Sequence, residues 1–275
     1  MQAENPIGVF DSGVGGISTL GALTAELPAE RFIYFGDTLN APYGTKTQAE
    51  VLRCVRDVFG ILRGRQAKAV VIACNTATAV AAAALRAENP DFPIIGIEPA
   101  LKPAAQMRHG GRILVLATPL TLQLEKFSRL FARWGDGAVP VPCPGLMELV
   151  ERQDEAGARA YLADVLAAQG TAPLDAVVLG CTHYVFLRPL LREMLPPGTA
   201  LLDGNAGTTR QLRRVLAERG LLRTEGEGSV ELCSSDGRTE TIRLMETLLI
   251  QAAAVAAETG EENPPASLPF SGKIV

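Results

Sequence analysis

Val70-Val71-Ile72-Ala73-Cys74-Asn75-Thr76 and Val177-Val178-Leu179-Gly180-Cys181-Thr182-His183 read alike: an apolar run ends in a cysteine and polar residues follow at once. Short continuous runs of Val, Ile and Leu are the pattern of strands buried on both faces, as in parallel sheets. Upstream, Ile7-Gly8-Val9-Phe10-Asp11-Ser12 precedes the first cysteine by about the same interval as Ile113-Leu114-Val115-Leu116-Ala117-Thr118 precedes the second. This is an internal repeat of an α/β unit. It predicts two similar α/β domains with parallel-rich sheets, able to present an active site in one cleft between them. Each half offers that cleft one thiol. Two thiols facing each other across a small molecule can remove a proton from one face and return one to the other, inverting a stereocentre.

At 275 residues the chain is near the upper size of a single hydrophobic core, so two modest domains are expected. Hydrophobic residues make up 47% and aromatics only 5%, which favours helices packed on parallel sheets over an aromatic-rich sandwich. The formal charge is −4 and no block of Lys or Arg tracks a phosphate backbone, so nucleic acid is not expected as the primary partner. No apolar run reaches the ~20 residues that span a bilayer, and Met1-Gln2-Ala3-Glu4-Asn5-Pro6 has no basic segment followed by an apolar one. A cytoplasmic protein without a membrane partner is expected. The cysteines, Cys54, Cys74, Cys143, Cys181 and Cys233, include no C-x-x-C pair and fit neither a zinc site nor a disulfide framework. His109 and His183 are the only histidines, too few for a His-rich site, so no metal is expected.

Ile7 to Asp11 predicts a first strand, entering the turn Ser12-Gly13-Val14-Gly15-Gly16 and then a helix from Ile17. Backbone N–H groups of such a turn can hold an anion; equally, glycine turns join strands to helices without any ligand. A second strand, Arg31 to Gly36, ends in a long polar loop before a helix over about 47–63. Loops so placed build ligand sites in open α/β sheets. Strands over 69–73 and 94–97 follow, with an alanine-rich helix from near Thr76 between them. Further on, strands are expected at 113–117, 138–143 and 176–180, and helices near 120–134, 145–169 and 185–195. Leu201-Leu202-Asp203 leads to a helix over about 205–219, and a strand at 229–233 with a helix over about 238–257 rejoins the first half. The predicted units are 1–98 with 207–258, and 99–206, followed by a loosely ordered tail over 259–275.

A cysteine at a strand end, with a helix starting just after it, lies at the positive end of the helix dipole, which predicts a lowered thiol pKa. One such cysteine alone reads as a small buried hydrophobe. Two at equivalent points of a repeat, each with polar followers, point to chemistry. Cys54, Cys143 and Cys233 have no matched partner and are expected to be structural. A pyridoxal-dependent racemase is disfavoured, because none of Lys46, Lys68, Lys102, Lys126 and Lys273 occupies a convincing strand-end site. A thiol hydrolase needs one cysteine, a base and an oxyanion hole, which leaves the second thiol redundant. The alternative from another class is a non-catalytic amino-acid-binding protein of the same fold, against which the two intact thiols argue.

Asp11-Ser12-Gly13-Val14-Gly15-Gly16, Asp37 with Pro42-Tyr43-Gly44, Ala73-Cys74-Asn75-Thr76-Ala77 and Gly180-Cys181-Thr182-His183-Tyr184 resemble, in order and separation, the motifs of bacterial glutamate racemases, over roughly residues 5–255. The resemblance implies two α/β domains, pseudo-twofold related with the substrate between them, no cofactor, and interconversion of L-glutamate and D-glutamate by two thiol bases, supplying the D-isomer for peptidoglycan. It assigns Cys74 to the proton of D-glutamate and Cys181 to that of L-glutamate. It gives the holding of substrate to Asp11, Ser12, Tyr43, Gly44, Asn75, Thr76, Thr182 and His183, and assistance of the thiols to Asp11, Glu151 and His183. Glu148 competes with Glu151 for that last role, because Pro144-Gly145-Leu146-Met147-Glu148 departs from the family's apolar and proline pattern.

The residue types suit this chemistry on their own terms. A Cα proton is very weakly acidic, so carbanion character has to be stabilised by donors aimed at the substrate carboxylate, and hydroxyls, an amide and helix starts supply them. Racemisation of another acidic amino acid such as aspartate stays open, since one methylene is worth only ~1–3 kcal/mol of discrimination. The expected partner is thus a small amino acid. Two copies of the chain can pair as a homodimer, with no segment marking the interface.

Overall fold

The computed structural model describes residues 1–258 and 270–272. Strand β1 (Ile7–Asp11) lies at the middle of the first sheet, flanked by β2 (Arg31–Gly36) and β3 (Ala69–Ile72), with Ile7 opposite both Phe32 and Ala69. Beyond β3 lies β4 (Ile94–Gly96). Helices α1 (Ile17–Glu26), α2 (Gln48–Gly64) and α3 (Asn75–Glu88) connect these strands, and α4 (Leu101–Met107) leads onward. The second sheet repeats the plan. β5 (Arg112–Ala117) is flanked by β6 (Ala138–Pro142) and β7 (Leu174–Leu179), with β8 (Ala200–Asp203) beyond β7. Its connecting helices are α5 (Pro119–Gln123), α6 (Glu125–Trp134), α7 (Leu146–Glu151), α8 (Glu155–Ala168) and α9 (Arg188–Met194). The chain then returns through α10 (Asn205–Glu218), β9 (Ser229–Ser234) and α11 (Thr239–Glu258).

All ladders are parallel. The orders are β2-β1-β3-β4 and β6-β5-β7-β8, extended in the first sheet by β9 beside β2 and by β10 (Phe270–Gly272) beside β9. The two fourfold orders are identical, which is the structural form of the repeat read from the sequence. Sequence order reverses direction between β1 and β3, and again between β5 and β7. At such switch points an open α/β sheet leaves a crevice at the carboxyl ends of its strands. Cys74 follows β3 and Cys181 follows β7, one at each crevice.

Each sheet is covered on both faces. Ile7, Val9 and Tyr34 pack with Leu20, Leu23, Met245 and Leu248 on one face of the first sheet, and Phe10, Val70 and Ile72 with Val51, Val58, Leu62 and Ala81 on the other. In the second sheet Leu114 and Val177 meet Leu146, Leu162 and Leu191, while Val115 and Val178 meet Leu101 and Phe127. Burial on both faces is why these strands are apolar throughout rather than alternating.

Three expected helices are broken. The helix over 120–134 is interrupted at Leu124, whose extended backbone (φ −75°, ψ 142°) places its side chain in the interior. That over 145–169 stops at Glu151, because Gln153 takes φ 54° and the Asp154 carboxylate then caps α8 by accepting from the Gly157 N–H at 2.8 Å. That over 185–195 begins instead as a 3₁₀ turn, Thr182–Leu187, ahead of α9. The tail over 259–275 lies outside the described residues, except for the strand at 270–272.

The chain passes between the sheets at 97–100 and again at 203–205. Gly204 lies against the first passage, where an added Cβ would stand 2.4 Å from the Glu98 carbonyl oxygen.

Candidate active site

The carboxyl ends of β1, β3, β5 and β7 converge on a cavity of about 130 Å³ lined by residues of both sheets. Of the residues singled out from the sequence, Asp11, Ser12, Tyr43, Gly44, Cys74, Asn75, Thr76, Cys181, Thr182 and His183 all line it. Glu148 lines it as well. Glu151 stands just behind, joined to the ring of His183. No lysine or arginine is among the lining residues.

Cys74 is the N-cap of α3: its sulfur accepts from the Ala77 N–H at 3.4 Å, and its thiol lies 3.7 Å from the Ser12 hydroxyl. The dipole expectation fails here. Burial pushes the Cys74 thiol well above its ordinary range, the Asp11 carboxylate adds to this, and the contacts from Ala77 and Ser12 only partly oppose it. The donors of one helix start do not compensate for burial of the sulfur, which favours the neutral thiol.

Cys181 sits differently. Its sulfur lies 3.7 Å from His183 Nδ1, and His183 Nε2 lies 2.9 Å from Glu151 Oε1, forming a thiol–imidazole–carboxylate chain. Burial of His183 disfavours its charged form, but Cys181 and Glu151 outweigh burial and hold the imidazole well above its usual range. Burial likewise works against the Glu151 carboxylate, and His183 overcomes it to bring Glu151 below its usual value. Glu148 makes no hydrogen bond or ion pair among the described residues.

The glycine-rich turn does hold an anion, and that anion is the chain's own. Ser12 N–H donates to Asp11 Oδ1 at 2.8 Å and Gly16 N–H to Oδ2 at 2.6 Å. Thr182 of the other half adds its hydroxyl to Oδ2 at 3.3 Å. The tightness of the turn needs glycine: a Cβ on Gly15 would stand 2.3 Å from His183 Nδ1, and one on Gly16 would stand 2.6 Å from Asp11 Cβ. Tyr43 donates to Asp37 Oδ2 at 2.7 Å, which orients its ring at the cavity wall. Asn75 Oδ1 is buried without a hydrogen-bond partner, an acceptor free for a ligand's ammonium.

Thr118 and Thr121 were missed from the sequence. With Thr76 they form a cluster of three hydroxyls at 2.8–3.3 Å from one another, on the cavity wall. A signal existed: Thr118 follows β5 as Ser12 follows β1. Cys143, expected to be purely structural, also lines the cavity, with its thiol pushed up to about 12 by burial and by Cys181.

A small pocket with one thiol at each sheet's crevice, hydroxyl and amide groups, and neither lysine nor arginine is suited to a small zwitterionic carboxylate. Residues 13–212 match the Asp/Glu/hydantoin racemase family. The chain belongs to that family. A glutamate racemase of Clostridium novyi is 45% identical over 250 residues, covering 89% of this chain and 96% of that protein. Among solved structures, glutamate racemase of Thermus thermophilus in complex with β-chloro-D-alanine superposes with a TM-score of 0.75 at 34% identity, over 100% of this chain and 98% of that one. The Escherichia coli glutamate racemase, in complex with L-glutamate and the activator UDP-MurNAc-Ala, gives 0.77 at 30% identity, over 90% and 95%. Among the described residues no helix is long and apolar enough to cross a membrane.

Proposed function

We propose that this protein interconverts L-glutamate and D-glutamate without a cofactor, supplying the D-isomer for peptidoglycan. The observation that carries the reading is the placement of Cys74 and Cys181 at equivalent strand ends of two sheets of identical order, both on one small cavity. In the D to L direction the Cys74 thiolate takes the Cα proton and the Cys181 thiol returns one to the opposite face. In the L to D direction the roles reverse. Each turnover breaks one C–H bond and one S–H bond and forms one of each, so the balance needs no further reagent.

The surrounding residues fit that cycle. Neutral Cys74 is the acid that the L to D direction requires; bound substrate brings an ammonium to the same wall, which offsets the burial and favours the thiolate for the other direction. His183, held in its charged form by Glu151, stands beside the Cys181 sulfur at 3.7 Å. Ser12, Tyr43, Gly44, Asn75, Thr76 and Thr182 hold the substrate with neutral donors, and Asp11, fixed by the turn, backs Cys74. We assign Thr118 and Thr121 to the same carboxylate-holding set. One thiol belongs to each of the units 1–98 with 207–258 and 99–206, working in the cytoplasm, as single chains or as a homodimer.

The test is circular dichroism of the purified protein with either enantiomer of glutamate and no added cofactor, in deuterated buffer, with NMR of the Cα position. Loss of optical activity with deuterium appearing at Cα is the expected result. Activity on aspartate alone would move the substrate assignment, and silence with both would leave an amino-acid-binding protein.

A further inference from the structure

Behind Cys181, on the side away from the cavity, a chain of buried polar contacts runs from the second half into the first. The Ser18 hydroxyl, on α1, donates to the Thr182 carbonyl oxygen at 3.0 Å. Asn205 Nδ2 donates to the Ser18 carbonyl at 3.3 Å, and Asn205 Oδ1 accepts from the Thr19 hydroxyl at 2.8 Å. The Asn205 N–H in turn donates to Asp203 Oδ1 at 2.8 Å, and Asp203 Oδ2 is held by Arg188 at 2.6 Å. Ser18, Thr19, Thr182 and Asn205 are all buried.

Thr182 is therefore gripped twice by the first half, through its hydroxyl on Asp11 and through its carbonyl on Ser18. Its amide nitrogen is bonded directly to the carbonyl carbon of Cys181, so whatever fixes Thr182 also fixes the sulfur bearer. The residues after Cys74 make the reciprocal reach by a different route: Thr76 meets Thr118 and Thr121 through side chains that line the cavity. Ser18 and Asn205 line no part of it.

We infer that Ser18, supported by Asn205, is a positioning residue that sets Cys181 against the substrate from the opposite half of the molecule. This rests on the two-thiol reading above. Ser18 touches neither substrate nor thiol; its effect passes through the backbone of Thr182. Removing the hydroxyl leaves a buried carbonyl without its donor and lets the Cys181 segment move relative to α1, and displacement of reacting groups by even ~1 Å can cost up to about 100-fold in rate.

Enantiomers have equal free energy, so any variant must lose kcat/KM equally in both directions. Rates alone cannot locate the damage; isotope effects can. Deuterium at Cα of L-glutamate reports the transfer to Cys181, and deuterium at Cα of D-glutamate the transfer to Cys74. For Ser18→Ala the expected result is a fall in kcat/KM of about 10-fold to 100-fold for both enantiomers. The isotope effect on kcat/KM should rise with 2-deuterio-L-glutamate and fall with 2-deuterio-D-glutamate, because the Cys181 step has become the slower one. Parental activity, or two isotope effects that stay put or move together, would overturn the inference, since loss of folded enzyme leaves both unchanged. If Ser18→Ala melts far below the parent, Asn205→Ala is read by the same pair of isotope effects, with the same outcomes. Cys181→Ala is run alongside: if it turns over at the parental rate, the two-thiol reading itself fails, whatever Ser18 does.

Discussion

Cys74 and Cys181 have the same local sequence logic and different surroundings, which makes the two thiols separable by experiment. Cys74→Ala and Cys181→Ala are each expected to abolish racemisation in both directions, measured as loss of optical activity; a variant that turned over at the parental rate would rule out two bases. The two glutamates on α7 separate just as cleanly. Glu151 supports the charge of His183 and Glu148 does not, so Glu151→Gln is expected to lower kcat/KM about 10-fold to 100-fold, as loss of an orienting partner does, and Glu148→Gln far less. Without Glu151 the His183 proton leaves at lower pH, and the alkaline limb of the kcat/KM profile should shift to lower pH. The sign for stability follows from the same pair. His183 is raised from 6.5, so its contribution is complete below 6.5 and is lost as pH rises through the folded-state value. Glu151 is lowered from 4.5, so its contribution is present above 4.5 and is lost as pH falls through the folded-state value. The melting-temperature gap between the parent and Glu151→Gln should therefore be widest between those two values; a gap that is flat with pH would mean the pair is not charged.

At the scale of elements, the strands were legible because burial on both faces writes itself as unbroken apolar runs, and the matching of 7–12 to 113–118 fixed which strands are equivalent. Helix starts were legible where a side chain caps them: Thr47 and Glu50 form a reciprocal cap on α2, close to the expected boundary. The breaks at Leu124 and Gln153 were not, since both answer to tertiary packing that no local pattern carries. Asp154 was the missed sign of a new helix start. The same limit left Glu151 and Glu148 in competition, since the His183 partner of Glu151 is 32 residues away in sequence, and it hid Thr121, whose partner Thr76 belongs to the other half. The β1–α1 turn yields a sharper prediction. Gly15→Ala drives a methyl group into the His183 ring, and is expected to disable turnover while the far-UV spectrum stays native; retained activity would show that the ring can move aside.

For the molecule as a whole, the ion pair of Lys68 and Glu30 is the most deeply buried one among the described residues, with both side chains fully buried at the amino end of the first sheet. Glu30 also accepts from the Arg223 N–H at 2.9 Å, tying the segment before β9 to the same point. Removing one partner strands the other: Glu30→Gln is expected to cost about 3–5 kcal/mol in urea unfolding, while replacing both residues by Met should recover much of that. An equal loss in the single and double variants would mean that the stranded charge does not carry the penalty.

The two chain passages between the sheets touch at Gly204 and Glu98 and so lie side by side rather than apart. Because both passages lie at one place, the chain leaves the first half and re-enters it at the same point, so the half that carries Cys181 is an insertion tied by backbone at one end and elsewhere by side-chain contacts such as those of Thr182 with Asp11 and Ser18.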